Sequence, residues 1–314
     1  MSKNNSIDIN KIRTYSVYKR KSKVLIDDFS RPSKKDISFG RFFNSLPNIL
    51  AASNLRNIVD AVVSAKKDKR PVIFMMGAHV IKCGLSPLII DLMQRGVVTA
   101  VALNGAGVIH DTEIAMIGST SEDVDEAIKD GSFGMAEETA TFINGAINWG
   151  FINGLGIGQA VGTKINESGF PFKRFSILSA GARLDIPVTV HVAIGTDIIH
   201  QHPSCNGEAL GEGSLVDFKN YVNSVSRLTK GGVVINFGSA VILPEVFLKA
   251  LSISRNLGYK VKGFTTANFD MFFHYRPKQN ILTRPVSLGG KGYNIIGHHE
   301  IMIPLLYQAI AERL

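Results

Sequence analysis

The stretch from Pro71 to Asp123 does most to fix what this chain can become. An apolar run, Pro71 to Met76, stops at Gly77, and a helical pattern follows with Leu85, Leu88, Ile89, Leu92 and Met93 three and four positions apart. A second apolar run, Val97 to Leu103, stops at Asn104-Gly105-Ala106-Gly107, after which His110-Asp111-Thr112-Glu113 opens another helix. Two short apolar runs joined by a helix form one βαβ unit of a parallel sheet buried on both faces. Ligands of such sheets lie beyond the carboxyl ends of the strands. Glycine at those ends lets a ligand come close to the backbone.

The remaining sequence extends the same rhythm. An amphipathic helix from Leu46 closes at the Lys-rich turn 66–70, a short helix covers Thr120 to Lys129, and another covers Met135 to Trp149. Strands are expected over Pro187–Val192, Gly232–Phe237 and Lys260–Thr265, and helices over Leu215–Leu228, Pro244–Asn256 and His298–Leu314. The stretches 198–214 and 271–297 read as loops. GLGIGQAVG, with Gly154, Gly156, Gly158 and Gly162, is out of register for a dinucleotide fingerprint and follows no strand, so it reads as close helix packing. The class is α/β: a Rossmann-like parallel sheet of at least five strands flanked by helices. Its strand ends are Gly77, Asn104–Gly107, Gly195 to Asp197, Gly238-Ser239 and Thr266-Ala267 to Asp270. Several small or acidic clusters in one chain suit a nucleotide cofactor. Backbone amides would hold its phosphates, and Asp197 or Asp270 its ribose hydroxyls. A helix cap or turn is the other reading of each Asp.

The net charge of +9 suggests nucleic acid, but its distribution does not. Residues 1–35 carry ten Lys or Arg against three Asp, so the excess belongs to a basic arm (1–36) that precedes a single catalytic domain (37–314). Tyr15 and Tyr18 lie on that arm, and Val24 to Ile26 has the composition of a short strand. No apolar run long enough for a membrane span occurs, and the start lacks an apolar signal core. Cys83 and Cys205 are too few for a disulfide framework in a reducing cytoplasm, and each reads as a buried inert thiol, with a reactive thiol as the other reading. Neither nucleic acid nor membrane is an expected partner.

At these strand ends the sequence resembles the deoxyhypusine synthase family over about Pro71 to Leu314. Gly77 to Gly84 lies where the family has a glycine and an NAD-contacting turn. Asn104 to Asp111 resembles its Thr-Ala-Gly-Gly segment and following acids. Thr196-Asp197 resembles a Thr-Asp pair, Phe237-Gly238-Ser239 sits at a triple glycine, and Thr266 to Asp270 resembles an Asn-Thr-Ala stretch ending in Phe-Asp. Val286 to Lys291 resembles Val-Ser-Trp-Gly-Lys, and Pro304-Leu305-Leu306 matches a Pro-Leu-Leu in the last helix. The resemblance implies a Rossmann-like fold, NAD as cofactor and active sites at the interfaces of a homotetramer. It also implies imine formation on Lys291, with aminobutyl transfer as the family's reaction. Departures fall on the substrate side. Met271-Phe272-Phe273 replaces an acidic segment, Arg284 replaces an acid, Leu288 replaces the channel tryptophan, and Leu243-Pro244-Glu245 replaces Lys-His-His. A polycation needs those acids, so deoxyhypusine synthesis itself is not expected.

The expected chemistry is NAD-dependent oxidation of an amine-type small molecule, with Lys291, His274 and His200 as catalytic candidates. Gly77, Asn104, Gly105, Ala106, Gly107, Asp111, Asp197, Gly238, Ser239, Thr266, Ala267 and Asp270 are the candidate cofactor contacts, and Arg276 and Arg284 the candidate substrate contacts. The two arginines also fit an oxidoreductase or lyase acting on a small anion. A third possibility is a non-catalytic nucleotide-binding scaffold. His200-Gln201-His202, His298-His299-Glu300 and His110-Asp111 have metal-ligand residue types, but no HExxH or CxxC pattern supports them, and no metal is expected.

Overall fold

The computed structural model describes residues 7–314. The first six residues of the arm lie outside them. Along the chain come α1 (Phe39–Ser45), α2 (Leu50–Lys67), β1 (Val72–Met76), α3 (His79–Lys82), α4 (Ser86–Gln94), β2 (Ala100–Asn104) and α5 (Gly105–Ile117). Next are α6 (Val124–Ala127), α7 (Glu137–Ile152), α8 (Ile157–Glu167), α9 (Ile177–Leu184), β3 (Val188–His191), α10 (Gly207–Ser226) and β4 (Val233–Phe237). The chain ends with α11 (Ile242–Asn256), β5 (Thr265–Asp270), α12 (Tyr275–Pro277), β6 (Lys291–Ile296) and α13 (His299–Ala311).

Six strands form one parallel sheet in the order β3-β2-β1-β4-β5-β6. The order reverses direction between β1 and β4, which is the topological switch point of a doubly wound sheet. Alternate side chains of β1 separate cleanly. Val72, Phe74 and Met76 pack into a layer with Val59, Ile89 and Leu306, whereas Ile73 and Met75 pack with Tyr221, Phe247 and Leu251. Helices therefore cover both faces, and the strands read as unbroken apolar runs because neither face meets water.

The glycine-rich segment packs as its spacing predicts. A Cβ on Gly158 would run into the Val188 carbonyl and one on Gly162 into the Leu178 carbonyl, so α8 lies directly on β3 and α9. Asp217 of α10 is 1% exposed and accepts from the amides of Gly158 and Val190, joining these elements.

Several expectations shift. The predicted loop 271–297 contains the sixth strand, whose polar, glycine-interrupted sequence (KGYNII) hides at the edge of the sheet. The predicted strand 260–265 is displaced, because β5 is the very stretch Thr265–Asp270 that had been read as the strand end. Helix α10 begins at Gly207, capped by the Asn206 side chain, within a predicted loop. Helix α5 starts at Gly105 rather than near His110, capped by Asn104, which accepts from the Gly107 amide at 3.1 Å. Val24 to Ile26 forms no strand, and Ile26–Asp28 is a 3-10 turn. The arm is exposed as far as Asp27 and is then tied to the α1–α2 connection through Asp28, Ser30 and Arg31. Among the described residues no helix is long and apolar enough to cross a membrane.

Candidate cofactor shelf

Strand registers place one row of residues across the carboxyl edge of the sheet: His191, Asn104, Gly77, Gly238, Asp270 and Ile296. Hydrogen bonds run along it, with the Gly77 amide on Phe237 O, Gly238 on Phe269 O and Gly297 on Asp270 O. At the switch point a Cβ on Gly77 would stand 2.9 Å from the Gly238 carbonyl. Gly238 has φ +67°, and a Cβ there would be 2.5 Å from His299 Nε2. Glycine is required at both, in the second case for conformation as well as space.

Two Asp–His pairs stand at opposite sides of this shelf. Beyond β3, Asp197 and His200 both have side chains 5% exposed, and Asp197 Oδ2 lies 3.9 Å from His200 Nε2. The amides of Gly195 and Asp197 donate to His200 Nδ1 at 3.0 and 3.3 Å. The proton of the neutral ring is therefore on Nε2, facing Asp197. Both facing atoms lack a protein partner. Burial raises the Asp197 carboxyl above its ordinary range, and His200 offsets part of that rise. Beyond β5, Asp270 Oδ2 is likewise buried and unpartnered, 4.0 Å from His274 Nε2, while Oδ1 accepts from the Phe272 amide.

A buried polar atom without a partner is costly, at roughly 1–3 kcal/mol. Four strand intervals of about 4.8 Å separate β3 from β5, so the two pairs flank a shelf roughly 19 Å wide. The amino end of α5 opens onto its β2 side.

The structure sorts the sequence candidates. Gly77, Asn104, Gly105, Ala106, Gly107, Gly238, Asp197, Asp270, His200 and His274 are at or beside the edge. Ser239 is beside it too, but its hydroxyl accepts from the Leu243 amide at the start of α11. Asp111 is a correction. It is fully buried, and its carboxylate accepts from Ser176 Oγ and from the amides of Ile177 and Leu178, capping α9. Thr266 and Ala267 are a second correction. They lie inside β5 opposite Val234 and Ile235, fully buried, with the Thr266 hydroxyl on Ile281 O.

Lys291 begins β6 opposite Thr265, at the amino end of the sheet, about 17 Å from the shelf at roughly 3.3 Å per residue. Within one chain it is not brought together with the Asp–His pairs. Arg276 is 3.2 Å from Glu245, and Arg284 donates to Asn280, itself bound to Glu245, so both arginines end on one acid–amide pair.

Side chains with little sequence signal also converge here. His299 is 3% exposed, lies beside Gly238, and has an unpartnered Nδ1. Burial lowers its pKa, and Asp270 opposes that shift. His79, Cys83 and Glu300 meet nearby. A double histidine at the start of the last helix was the one available hint. Clefts lie elsewhere, among them one of about 450 Å³ around Phe43, Arg56 and Glu312 and one of about 260 Å³ at the amino end of β3.

No protein-family model matches the chain, and no curated protein matches its sequence. Solved structures share its fold. A protein described as a deoxyhypusine synthase from Entamoeba histolytica superposes with a TM-score of 0.56 at 11% identity, over 90% of this chain and 96% of that one. AgrE, solved as a ternary complex with ornithine and NAD+, gives a TM-score of 0.54 at 13% identity over 83% of this chain. The cyanobacterial arginine dihydrolase ArgZ gives 0.50 at 15% identity over 84%. The chain spans 33% of the length of AgrE and of ArgZ. The chain thus has a deoxyhypusine synthase-like α/β fold.

Proposed function

We propose that the shelf binds NAD and that the chain is an NAD-dependent enzyme acting on an amine-type small molecule. The observation that carries this is the pair of Asp–His constellations, one at each side of the switch point, each holding a buried carboxylate oxygen without a protein partner beside the shelf. A ribose hydroxyl is both donor and acceptor. Placed between Asp197 and His200, it donates to Oδ2 and accepts from Nε2–H, satisfying both orphaned atoms. The same reasoning applies to Asp270, which takes a hydroxyl of the second ribose. The first turn of α5, thirteen residues long, turns its free amides toward a pyrophosphate lying across Gly77 and Gly238.

NAD supplies a hydride acceptor for the carbon bearing the amine. The chain's own contribution is to orient that carbon and to take the proton lost from nitrogen, for which His274 and His299 beside Asp270 are the available bases. Acids and histidines on this side suit an amine. AgrE, whose fold is shared, was solved with ornithine and NAD+. An anionic substrate held by Arg276 and Arg284 is less well supported, because Glu245 already pairs with Arg276.

Group transfer through Lys291 requires that residue from a second copy. The exposed apolar rim Met271, Phe272, Phe273 and Tyr275 borders Asp270 and suits burial by such a copy, in keeping with a homotetramer. The test is NADH formation from NAD with a panel of ornithine, arginine, spermidine and hydroxy acids. Turnover on one amine, lost in Asp270→Asn, is expected. NAD binding without turnover on any member would leave a nucleotide-binding scaffold.

A further inference from the structure

Three ligating side chains from the two ends of the chain meet beside the shelf. His79 and Cys83 are four residues apart on the helical turn after β1, with the Cys83 amide on the His79 carbonyl, so both point from one face. Glu300 reaches them from the first turn of α13. One ligand atom from each lies within 4.8 Å of the others.

Cys83 Sγ is 3.7 Å from Glu300 Oε2. In a tetrahedral zinc site, with bonds of about 2.3 Å to sulfur and 2.0 Å to oxygen, neighbouring ligand atoms stand roughly 3.5 Å apart. The Cys–Glu edge is therefore already at ligation spacing. His79 is exposed and free to rotate through the remainder. The other Glu300 oxygen faces His298 Nδ1 at 3.7 Å, the kind of outer partner that orients a ligating carboxylate. The buried His299 ring, with its unpartnered Nδ1, lies beside His79, centroids 6.0 Å apart.

We infer that His79, Cys83 and Glu300 form a mononuclear site for a divalent borderline metal, Zn2+ or Co2+, with a fourth position open to a small ligand. One imidazole, one thiolate and one carboxylate suit these ions, whereas Mg2+ and Ca2+ take oxygen ligands. Three protein ligands with an open position is the arrangement of a catalytic rather than a structural zinc site. Binding converts the Cys83 thiol to a thiolate and releases one proton to solvent. His79 is two residues beyond Gly77, so the cluster lies at the carboxyl edge of the sheet, beside the shelf. The inference does not depend on NAD.

The experiment is a Co2+ titration of the full chain under non-thiol reducing conditions, followed by absorbance and by competition with Zn2+. Expected are tetrahedral d–d bands and a thiolate-to-cobalt charge-transfer band, saturating at one ion per chain and lost on adding Zn2+. Cys83→Ser should abolish the charge-transfer band, Glu300→Gln should weaken binding about tenfold or more, and Cys205→Ser should leave both unchanged. These side chains are exposed or half-buried, and melting curves confirm that each variant folds. No charge-transfer band in the parent chain, or a band that survives Cys83→Ser, would overturn the site. Failure of NAD binding alone would leave it intact.

Discussion

The Asp197 carboxylate occupies the space that a side chain on Gly105 would fill, since a Cβ built there overlaps Oδ2. A loop beyond β3 is thereby locked onto the first residue of α5, and the absence of one side chain sets the position of another. Gly105→Ala should push the carboxylate aside while leaving the helix intact, because alanine favours a helix over glycine by about 1 kcal/mol. NAD affinity is expected to fall about tenfold, roughly 1.4 kcal/mol, with a thermal midpoint moved by less than about 4 °C. Calorimetry and a melting curve on the same sample check both.

Asp111 separates structure from function. Its carboxylate takes three hydrogen bonds at the start of α9 and is entirely buried. Burial raises its pKa to about 6 despite those bonds. Asp111→Ala leaves the amides of Ile177 and Leu178 without a partner and should destabilise the chain by roughly 3 kcal/mol. NAD affinity per folded molecule should not change. A selective loss of affinity with normal melting would return Asp111 to the shelf.

His191 should make the fold acid-sensitive. It is 3% exposed, its Nε2 pairs with Thr189 Oγ1 at 3.0 Å, and burial lowers its pKa to about 3. Between about pH 6.5 and pH 3 the unfolded chain therefore binds a proton that the folded chain refuses. Its contribution to stability is complete above pH 6.5 and declines by up to about 1.4 kcal/mol per unit as pH falls through that window. In His191→Gln, the loss of melting temperature between pH 7 and pH 5 should be smaller than in the parent. Equal losses would show that other groups govern the acid limb.

Lys291 is placed at the far end of the sheet from both Asp–His pairs. Lys291→Ala should leave NAD affinity unchanged. An unchanged affinity with NADH formation abolished would identify a contribution across a subunit contact, whereas lost affinity would contradict the placement.

Much of the fold was legible because a sheet covered on both faces writes itself as apolar runs ending in glycine, as at Val72–Met76 and Val233–Phe237. The sixth strand was not, because an edge strand with Lys291, Gly292 and Asn294 carries little apolar signal. The placement of Asp197, His200, Asp270 and His274 at the carboxyl edge was legible from the strand ends they follow or close. Thr266 and Ala267 could not be placed, since the register of β5 depends on its neighbours rather than on its own composition. The cluster of His79, Cys83 and Glu300 joins residues more than two hundred positions apart, and no local spacing announces it.

Titration of NAD into the parent chain, Asp197→Asn and Asp270→Asn by calorimetry tests the shelf most directly. Binding by the parent, with affinity weakened about tenfold or more in each variant and melting unchanged, is the predicted result. No binding at millimolar NAD, or equal affinity in all three proteins, would contradict it.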